Sequence, residues 1–497
     1  MTDMAREAAF QSAREWIAGA GGHIIGGETQ AISGATIEVL NPADETVLGR
    51  VSEGTLEDVE RAVGACERTF ASREWRDMPP ARREELLLRF ATLVEENTAQ
   101  LAAIETLDNG VPYPMALAMA GKGGPSAIRY NAGWTRRLGG ETAEPSAPGR
   151  WHAYTVNEPL GVAALIVPWN APLAIACNKV SAALAAGCTA VLKPAELAPF
   201  SCIRLVELAH QAGIPAGAIN LVNGTGVSAG AALAAHPGVD KISFTGSTAT
   251  GKTIMRQAAE KVTRISLELG GKSPVVVFGD ADLARAVPGV AMGIFANSGQ
   301  VCAAGSRLFL HDAIYESFME QLCAFAAKLV LGPGDREGSA LGPLISAAQR
   351  DKVEGFISGA LEAGAKLAFR GEVPEGPGYF VPPTILDRVT PDMRAVREEI
   401  FGPVLCVQRF SDDEELEALA ARANDSDYGL SAYAWTRDLE RAQSMARLLR
   451  AGSVKINGSG MEFTLPFGGF GQSGLGRENG RHGVLAFTET KSVMLGY

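Results

Sequence analysis

From residue 161 onward, short apolar runs alternate with amphipathic stretches. The runs at 161–167, 190–192, 218–222, 241–244 and 265–269 have strand character, and the stretches 173–186, 201–212, 230–235 and 250–259 between them are helical. This alternation predicts a parallel sheet with crossover helices. A second strand-rich unit is expected after it. Its strands are 274–278, 308–311 and 404–408, and its helices are 282–295, 314–330 and 346–363. Ahead of residue 161 the pattern predicts a short amphipathic helix at 5–18. Strands at 24–25, 36–40 and 46–51 follow around glycine-rich turns, then a helix from Thr55 to about residue 70. A single long helix is expected over 82–107, stopped by Asp108-Asn109-Gly110. Thr55 with Asp58, and Ser346 with Gln349, fit helix capping boxes. Segment 139–157 is rich in Gly and Pro at first and ends in a strand at 151–156, and 492–497 reads as another short strand.

Composition narrows the function classes. The 497 residues carry a formal net charge of −11, which argues against a nucleic-acid partner. No stretch reaches the ~18 uninterrupted apolar residues of a membrane helix. The first residues, MTDMAREAAFQSAREW, contain acids and lack the apolar core of a secretory signal. Seven scattered cysteines without a C-x-x-C pair suggest reduced thiols and a cytoplasmic setting. The six histidines show no metal-ligand spacing, so no metal is expected.

Two stretches carry candidate chemistry. Residues 295–307 read FANSGQVCAAGSR, with Cys302 between Gly299 and Gly305; residues 264–274 read RISLELGGKSP, with Glu268 just before a Gly-Gly turn. A cysteine is more often a small buried hydrophobe, and a glutamate more often a solvated surface group. Here the flanking glycines allow close approach of backbone to a ligand. The apolar run before Glu268 would desolvate its carboxylate and make it more basic. A nucleophile and a base are the reading these surroundings favour. A competing reading comes from residues 246–253, GSTATGKT, which fit the phosphate-binding pattern G-x-x-x-x-G-K-[ST]. Residues 275–280, VVVFGD, are similar to the acidic strand that accompanies it. A P-loop-type nucleotide hydrolase therefore stands as an alternative, although it leaves Cys302 and Glu268 unexplained.

The two stretches resemble the signatures of the aldehyde dehydrogenase superfamily: L-E-L-G-G-K-S-P at 267–274 and F-x-N-x-G-Q-x-C-x-A-G-S-R at 295–307. Further matches are Pro168-Trp169-Asn170, Lys193-Pro194-Ala195-Glu196, FTGS at 244–247, EIFGP at 399–403, PFGG at 466–469 and SGLGRE at 473–478. The resemblance implies an α/β fold: a Rossmann-like parallel-sheet cofactor domain (1–137 and 158–267), an α/β catalytic domain (268–480), and a small β oligomerisation element (138–157 and 481–497). It implies NAD-dependent oxidation of an aldehyde to a carboxylate, with NADP possible. Cys302 would be the nucleophile, Glu268 the base for water and Asn170 an oxyanion donor. Cofactor contacts would come from Pro168, Trp169, Lys193, Glu196, Gly246, Ser247, Leu269, Glu399 and Phe401. A carboxylate at Glu196 accepts ribose hydroxyls and repels a 2′-phosphate, which favours NAD. A homodimer or homotetramer is implied, and a non-catalytic structural relative is the remaining alternative. An intact set of Asn170, Glu268 and Cys302 speaks against that alternative.

The substrate pocket departs from the family pattern. Many members carry Phe, Trp and Phe where this chain has Ala171, Asn178 and Ala296. With Ile175, Val301 and Phe463, these positions are expected to line a wide tunnel for a bulky aromatic, cyclic or branched aldehyde. Phe463 or Met461 could instead fill the space.

Overall fold

The computed structural model describes residues 3–460 and 462–497. Met461 lies outside the described residues. Among the described residues the chain builds two large sheets, a three-stranded sheet and two two-stranded ones. The first sheet runs, edge to edge, Glu28–Thr29, Ile24–Ile25, Ile219–Leu221, Thr189–Lys193, Val162–Ile166, Lys241–Thr245, Arg264–Glu268 and Gly474–Leu475. The five strands from Ile219–Leu221 to Arg264–Glu268 are mutually parallel. In chain order they lie 3-2-1-4-5, so the order reverses between Val162–Ile166 and Lys241–Thr245. A doubly wound sheet opens its ligand crevice at such a switch point, beyond the carboxyl ends of the strands. Burial explains the composition: Val162–Ile166 and Thr189–Lys193 are covered on both faces and are apolar almost throughout. The last strand, Gly474–Leu475, comes from the segment expected in the catalytic unit, and it pairs antiparallel with Leu267 and Glu268.

The second sheet runs Lys366–Arg370, Thr384–Asp387, Val404–Phe410, Arg307–His311, Pro274–Val277, Ser431–Trp435 and Ser453–Ile456. All neighbours are parallel except the first pair. Four of its strands, those at 366, 384, 431 and 453, were not expected as strands from the apolar pattern. Ser431–Trp435 is wholly buried, with Tyr433 and Trp435 on one face and Ala432 and Ala434 on the other. The third sheet is antiparallel and joins Thr488–Gly496, Trp151–Pro159 and Gly139–Ala143.

Three expectations need correction. The long helix over 82–107 is two helices, Pro80–Glu96 and Thr98–Asn109, separated by Asn97. The Asn97 amide donates to Leu93 O and its Oδ1 accepts from Arg204, so the side chain closes one helix where the next begins. The capping box at Ser346 is half a box. Ser346 Oγ accepts from the Gln349 N–H, but the Gln349 amide turns away and donates to the carbonyls of Ile400 and Phe401. The box at Thr55 and Asp58 closes in both directions.

The third correction removes the P-loop. Ser247 caps a helix, Thr248–Ala259, that contains Gly251, Lys252 and Thr253 within its first two turns. No loop is left to wrap a phosphate, and Lys252 Nζ donates to Gln472 Oε1. Asp280 follows a strand of the other sheet, where it accepts from Thr436 Oγ1 and the N–H groups of Arg437 and Asp438. The two halves of that motif therefore belong to different sheets. No described helix is long and apolar enough to cross a membrane.

Candidate active site

Glu268 ends the strand Arg264–Glu268, and the chain then crosses to the second sheet through Gly270 and Gly271. The two glycines are required for different reasons. A side chain on Gly270 would collide with the Glu399 carboxylate, and one on Gly271 would collide with the Cys302 carbonyl. The Gly271 N–H donates to Glu399 Oε1 at 2.9 Å. The turn thus packs Glu268, Cys302 and Glu399 into one junction between the sheets.

Cys302 follows the helix Leu283–Phe295 and a strained turn. Asn297 and Ser298 have φ of 50° and 52°, uncommon for residues with side chains. Their side chains hold the turn: Asn297 Nδ2 donates to Asn170 O at 2.9 Å and Ser298 Oγ to Gly342 O at 2.6 Å. Gln300 accepts the Ile345 N–H. Strain of this sort persists only where the surroundings over-determine it. The polar residues of the cysteine signature are therefore buried anchors. Burial, then Glu399 and Glu268, push the half-buried Cys302 thiol up to about 12. It rests as a thiol and must lose its proton before it can attack.

Asn170 sits at the carboxyl end of Val162–Ile166, at the switch point. Its Nδ2 donates to Gln300 O at 2.9 Å, two residues before Cys302. Pro168 and Trp169 precede it, and the Trp169 ring meets the Phe401 ring edge to face, 5.3 Å between centroids. Phe401 adopts φ 59°, with the Gln349 amide on its carbonyl. Sequence reasoning missed the holders of this loop. Asn109 Nδ2 donates to Trp169 O, and Glu105 Oε1 accepts the Leu173 N–H. Their signal was a cluster of polar residues in a helix whose second half is buried throughout.

The Glu268 carboxyl lies against Gly468, with both oxygens buried and without a hydrogen-bond partner among the described residues. Leu269 donates its N–H to Ser473 O, which fixes the strand end. Burial first, and then the charge of Glu478, raise the Glu268 carboxyl well above the usual range, while Lys179 and Arg477 oppose the rise. Lys179 Nζ bonds to Glu478 Oε1 and to Ser243 Oγ. Lys179 and Glu478 were also missed, although one lysine inside the apolar helix Pro172–Ala186 marked the place.

The remaining residues lie along the edge of the first sheet and on the helix after Asn170. Lys193 ends the strand Thr189–Lys193 and pairs with Glu196 at 3.3 Å; Lys193 is buried and the Glu196 carboxylate remains a third exposed. Gly246 donates to Glu268 O, and Ser247 caps the helix at 248. Ala171 and Ile175 are partly open, Ala296 and Val301 likewise on either side of the cysteine turn, and Asn178 is nearly closed off. The Phe463 ring ends 4.0 Å from where a side chain on Gly123 would begin, at a helical bulge over Met119–Gly123.

Known proteins are similar in sequence and share the fold. The family model described as the aldehyde dehydrogenase family matches residues 29–493. A phenylacetaldehyde dehydrogenase from Pseudomonas fluorescens is 44% identical over 482 residues, 95% of each chain. An aldehyde dehydrogenase from Bacillus cereus, solved as an NAD+ complex, is 43% identical with a TM-score of 0.94, covering 97% of this chain and 98% of that one. A betaine aldehyde dehydrogenase from Staphylococcus aureus, solved with NAD+, is 37% identical with a TM-score of 0.94, covering 98% and 97%. The chain belongs to the aldehyde dehydrogenase family and is an aldehyde oxidoreductase.

Proposed function

We propose that this chain oxidises a bulky, aromatic or branched aldehyde to its carboxylate, with NAD as the acceptor and Cys302 as the nucleophile. The observation that carries the reading is the junction of Cys302, Glu268 and Asn170 between the two sheets, across the switch point. The residues around it fit a dinucleotide. Ser247 and the N-terminus of Thr248–Ala259 suit a diphosphate. Glu196, a partly exposed carboxylate held by Lys193, suits ribose hydroxyls and disfavours a 2′-phosphate. Glu399 and Phe401 face the same junction as Cys302. NAD, when bound, supplies a hydride acceptor.

The chain's own groups do the rest. The Cys302 proton passes to solvent water, and the sulfur bonds to the aldehyde carbon. Asn170 Nδ2 and the Cys302 N–H, which has no backbone acceptor among the described residues, donate to the resulting oxyanion; each such donor contributes about 3 kcal/mol to the transition state. Loss of hydride leaves a thioester on Cys302. Glu268 then takes a proton from water, the hydroxide bonds to the acyl carbon, and the C–S bond breaks to free the carboxylate. A raised carboxyl pKa suits a base working near neutral pH.

The small or polar residues Ala171, Asn178 and Ala296 support the bulky-substrate part of the reading. Relatives of similar identity act on phenylacetaldehyde and on betaine aldehyde, so their names do not decide it. The small antiparallel sheet, 138–157 with 481–497, is read as the element through which copies associate. Domain boundaries at 1–137 with 158–267 and at 268–480 are part of this reading; the division of the strands between two large sheets supports them, and the strand Gly474–Leu475 speaks against a strict division.

The test is NADH formation at 340 nm with a panel running from acetaldehyde to benzaldehyde-sized substrates. Turnover is expected to be highest for the bulky members and lost in Cys302→Ala. In Glu268→Gln a burst of NADH followed by a stall is expected. A steady rate near wild type in Glu268→Gln removes Glu268 from the base role, and a strong preference for acetaldehyde removes the wide tunnel.

A further inference from the structure

The helix Pro172–Ala186 is buried nearly all round. Its openings are at Ala171, Ala174 and Ile175, with Asn178 retaining 6% exposure. These positions, spaced three and four apart, share one helix face. That face starts directly after Asn170 and leads away from it. The opposing wall is near: Gly124 packs against Cys177, and its neighbour Gly123 lies under the tip of the Phe463 ring.

Asn178 is the polar residue on this face, and its orientation is fixed. Asn131 Nδ2 donates to the backbone carbonyl of Asn178 at 3.2 Å and to Ser181 Oγ at 2.9 Å. A backbone carbonyl only accepts, so the atom that Asn131 presents is a donor. The same Nδ2 reaches the Asn178 side chain at 3.2 Å, which must therefore turn its Oδ1 toward Asn131. The Asn178 Nδ2 then points the other way. It finds no acceptor among the described residues, and it is not among the side-chain atoms sealed in the core. An amide in this position has hydrogen-bonding capacity left for something that enters along the open face.

We propose that Asn178 is a specificity-determining donor: its Nδ2 selects aromatic or cyclic aldehydes that carry an acceptor oxygen, such as an ether or ketone, remote from the aldehyde group. The proposal rests on the wide-tunnel reading and names the substrate class within it. A site that presents a donor rejects an apolar isostere, because the buried amide is then left without a partner.

The experiment compares two aldehydes of equal size, 4-methoxybenzaldehyde and 4-ethylbenzaldehyde, by kcat/KM. The wild type is expected to favour the methoxy compound by about five- to tenfold, the range of one neutral hydrogen bond. In Asn178→Leu that ratio should collapse toward one, the ratio within each variant being the readout. Asn178→Asp keeps an acceptor for Asn131 and removes the donor, so it should lose the preference even if the leucine variant fails to fold. A wild-type ratio near one, or a ratio unchanged in either variant, overturns the proposal and leaves the wide tunnel standing. Equal losses on all substrates with a lowered melting temperature also overturn it, since they assign Asn178 a packing role. If no aromatic aldehyde is turned over while acetaldehyde is, the wide tunnel falls and the proposal with it.

Discussion

At Glu268 two neighbouring charges act in opposite directions. Glu478 pushes the carboxyl pKa up, and Lys179 and Arg477 pull it down. Activity that needs the carboxylate is lost as pH falls through that raised pKa. Glu478→Gln removes the like charge, so the acidic limb of the kcat profile should move to lower pH. Lys179→Met removes an opposing charge and should move the limb to higher pH. Shifts of about half a unit to one unit are expected for partly screened charges at this range. Steady-state rates between pH 5 and 9 check the pair, and limbs that do not move would uncouple Glu478 and Lys179 from the base. At this scale the sequence was informative where motifs are local. Cys302, Glu268 and Asn170 each stand in a string of residues whose glycines and amides turned out to be structural supports. Lys179 and Glu478 escaped because their meaning lies in a contact across 299 positions.

The helix Thr98–Asn109 acts on the loop that carries Asn170. Asn109 holds the Trp169 carbonyl, Glu105 takes the first free N–H of Pro172–Ala186, and Asp108 takes that of Phe200–Gln211. Two helix N-termini are thus tied to one buried helix, and burial raises the Glu105 carboxyl to about 7. Asn109→Ala frees the loop at Trp169 without touching Cys302. A fall in kcat of about ten- to a hundredfold is expected, the usual cost of displacing a catalytic donor by about an ångström. NAD affinity by calorimetry should change little. Equal losses in kcat and NAD binding would make Asn109 a general support for the fold. The parallel core was legible because fully buried strands are apolar runs and their crossover helices have helical spacing. Strands such as Thr384–Asp387 and Ser453–Ile456 were not. They are four residues long, and their identity as strands comes from the neighbours they pair with. The break at Asn97 was hidden for a similar reason, since the arginine that holds it lies 107 residues away.

The small sheet is an anomaly at the scale of the whole molecule. Thr488–Gly496 pairs with Trp151–Pro159 along nine positions, and Gly139–Ala143 closes the other side. Gly139–Ala143 is exposed throughout, and Thr488–Gly496 is exposed at most positions on both faces. Three strands with no hydrophobic face covered are marginal in water. Met494 and Leu495 are each 51% exposed, on opposite faces, and Tyr497 is 79% exposed. An open edge strand beside exposed apolar side chains invites association unless a partner covers it. The second large sheet also ends in an open edge, Ser453–Ile456, with one neighbour. We propose that a second copy of the chain supplies both missing partners at once, in the manner of a self-complementary dimer. Changing Met494 and Leu495 together to glutamate leaves the backbone pairing in place and puts charge on both faces. Light scattering after size exclusion should then show the mass per particle falling from a multiple of 52.1 kDa to that of one chain. Activity should fall with it if the isolated sheet frays, because Thr488–Gly496 follows directly on the helix Gly480–Leu485 that packs against Pro172–Ala186. An unchanged mass would take the small sheet out of the interface and leave its exposed side chains to be covered by something other than a second copy.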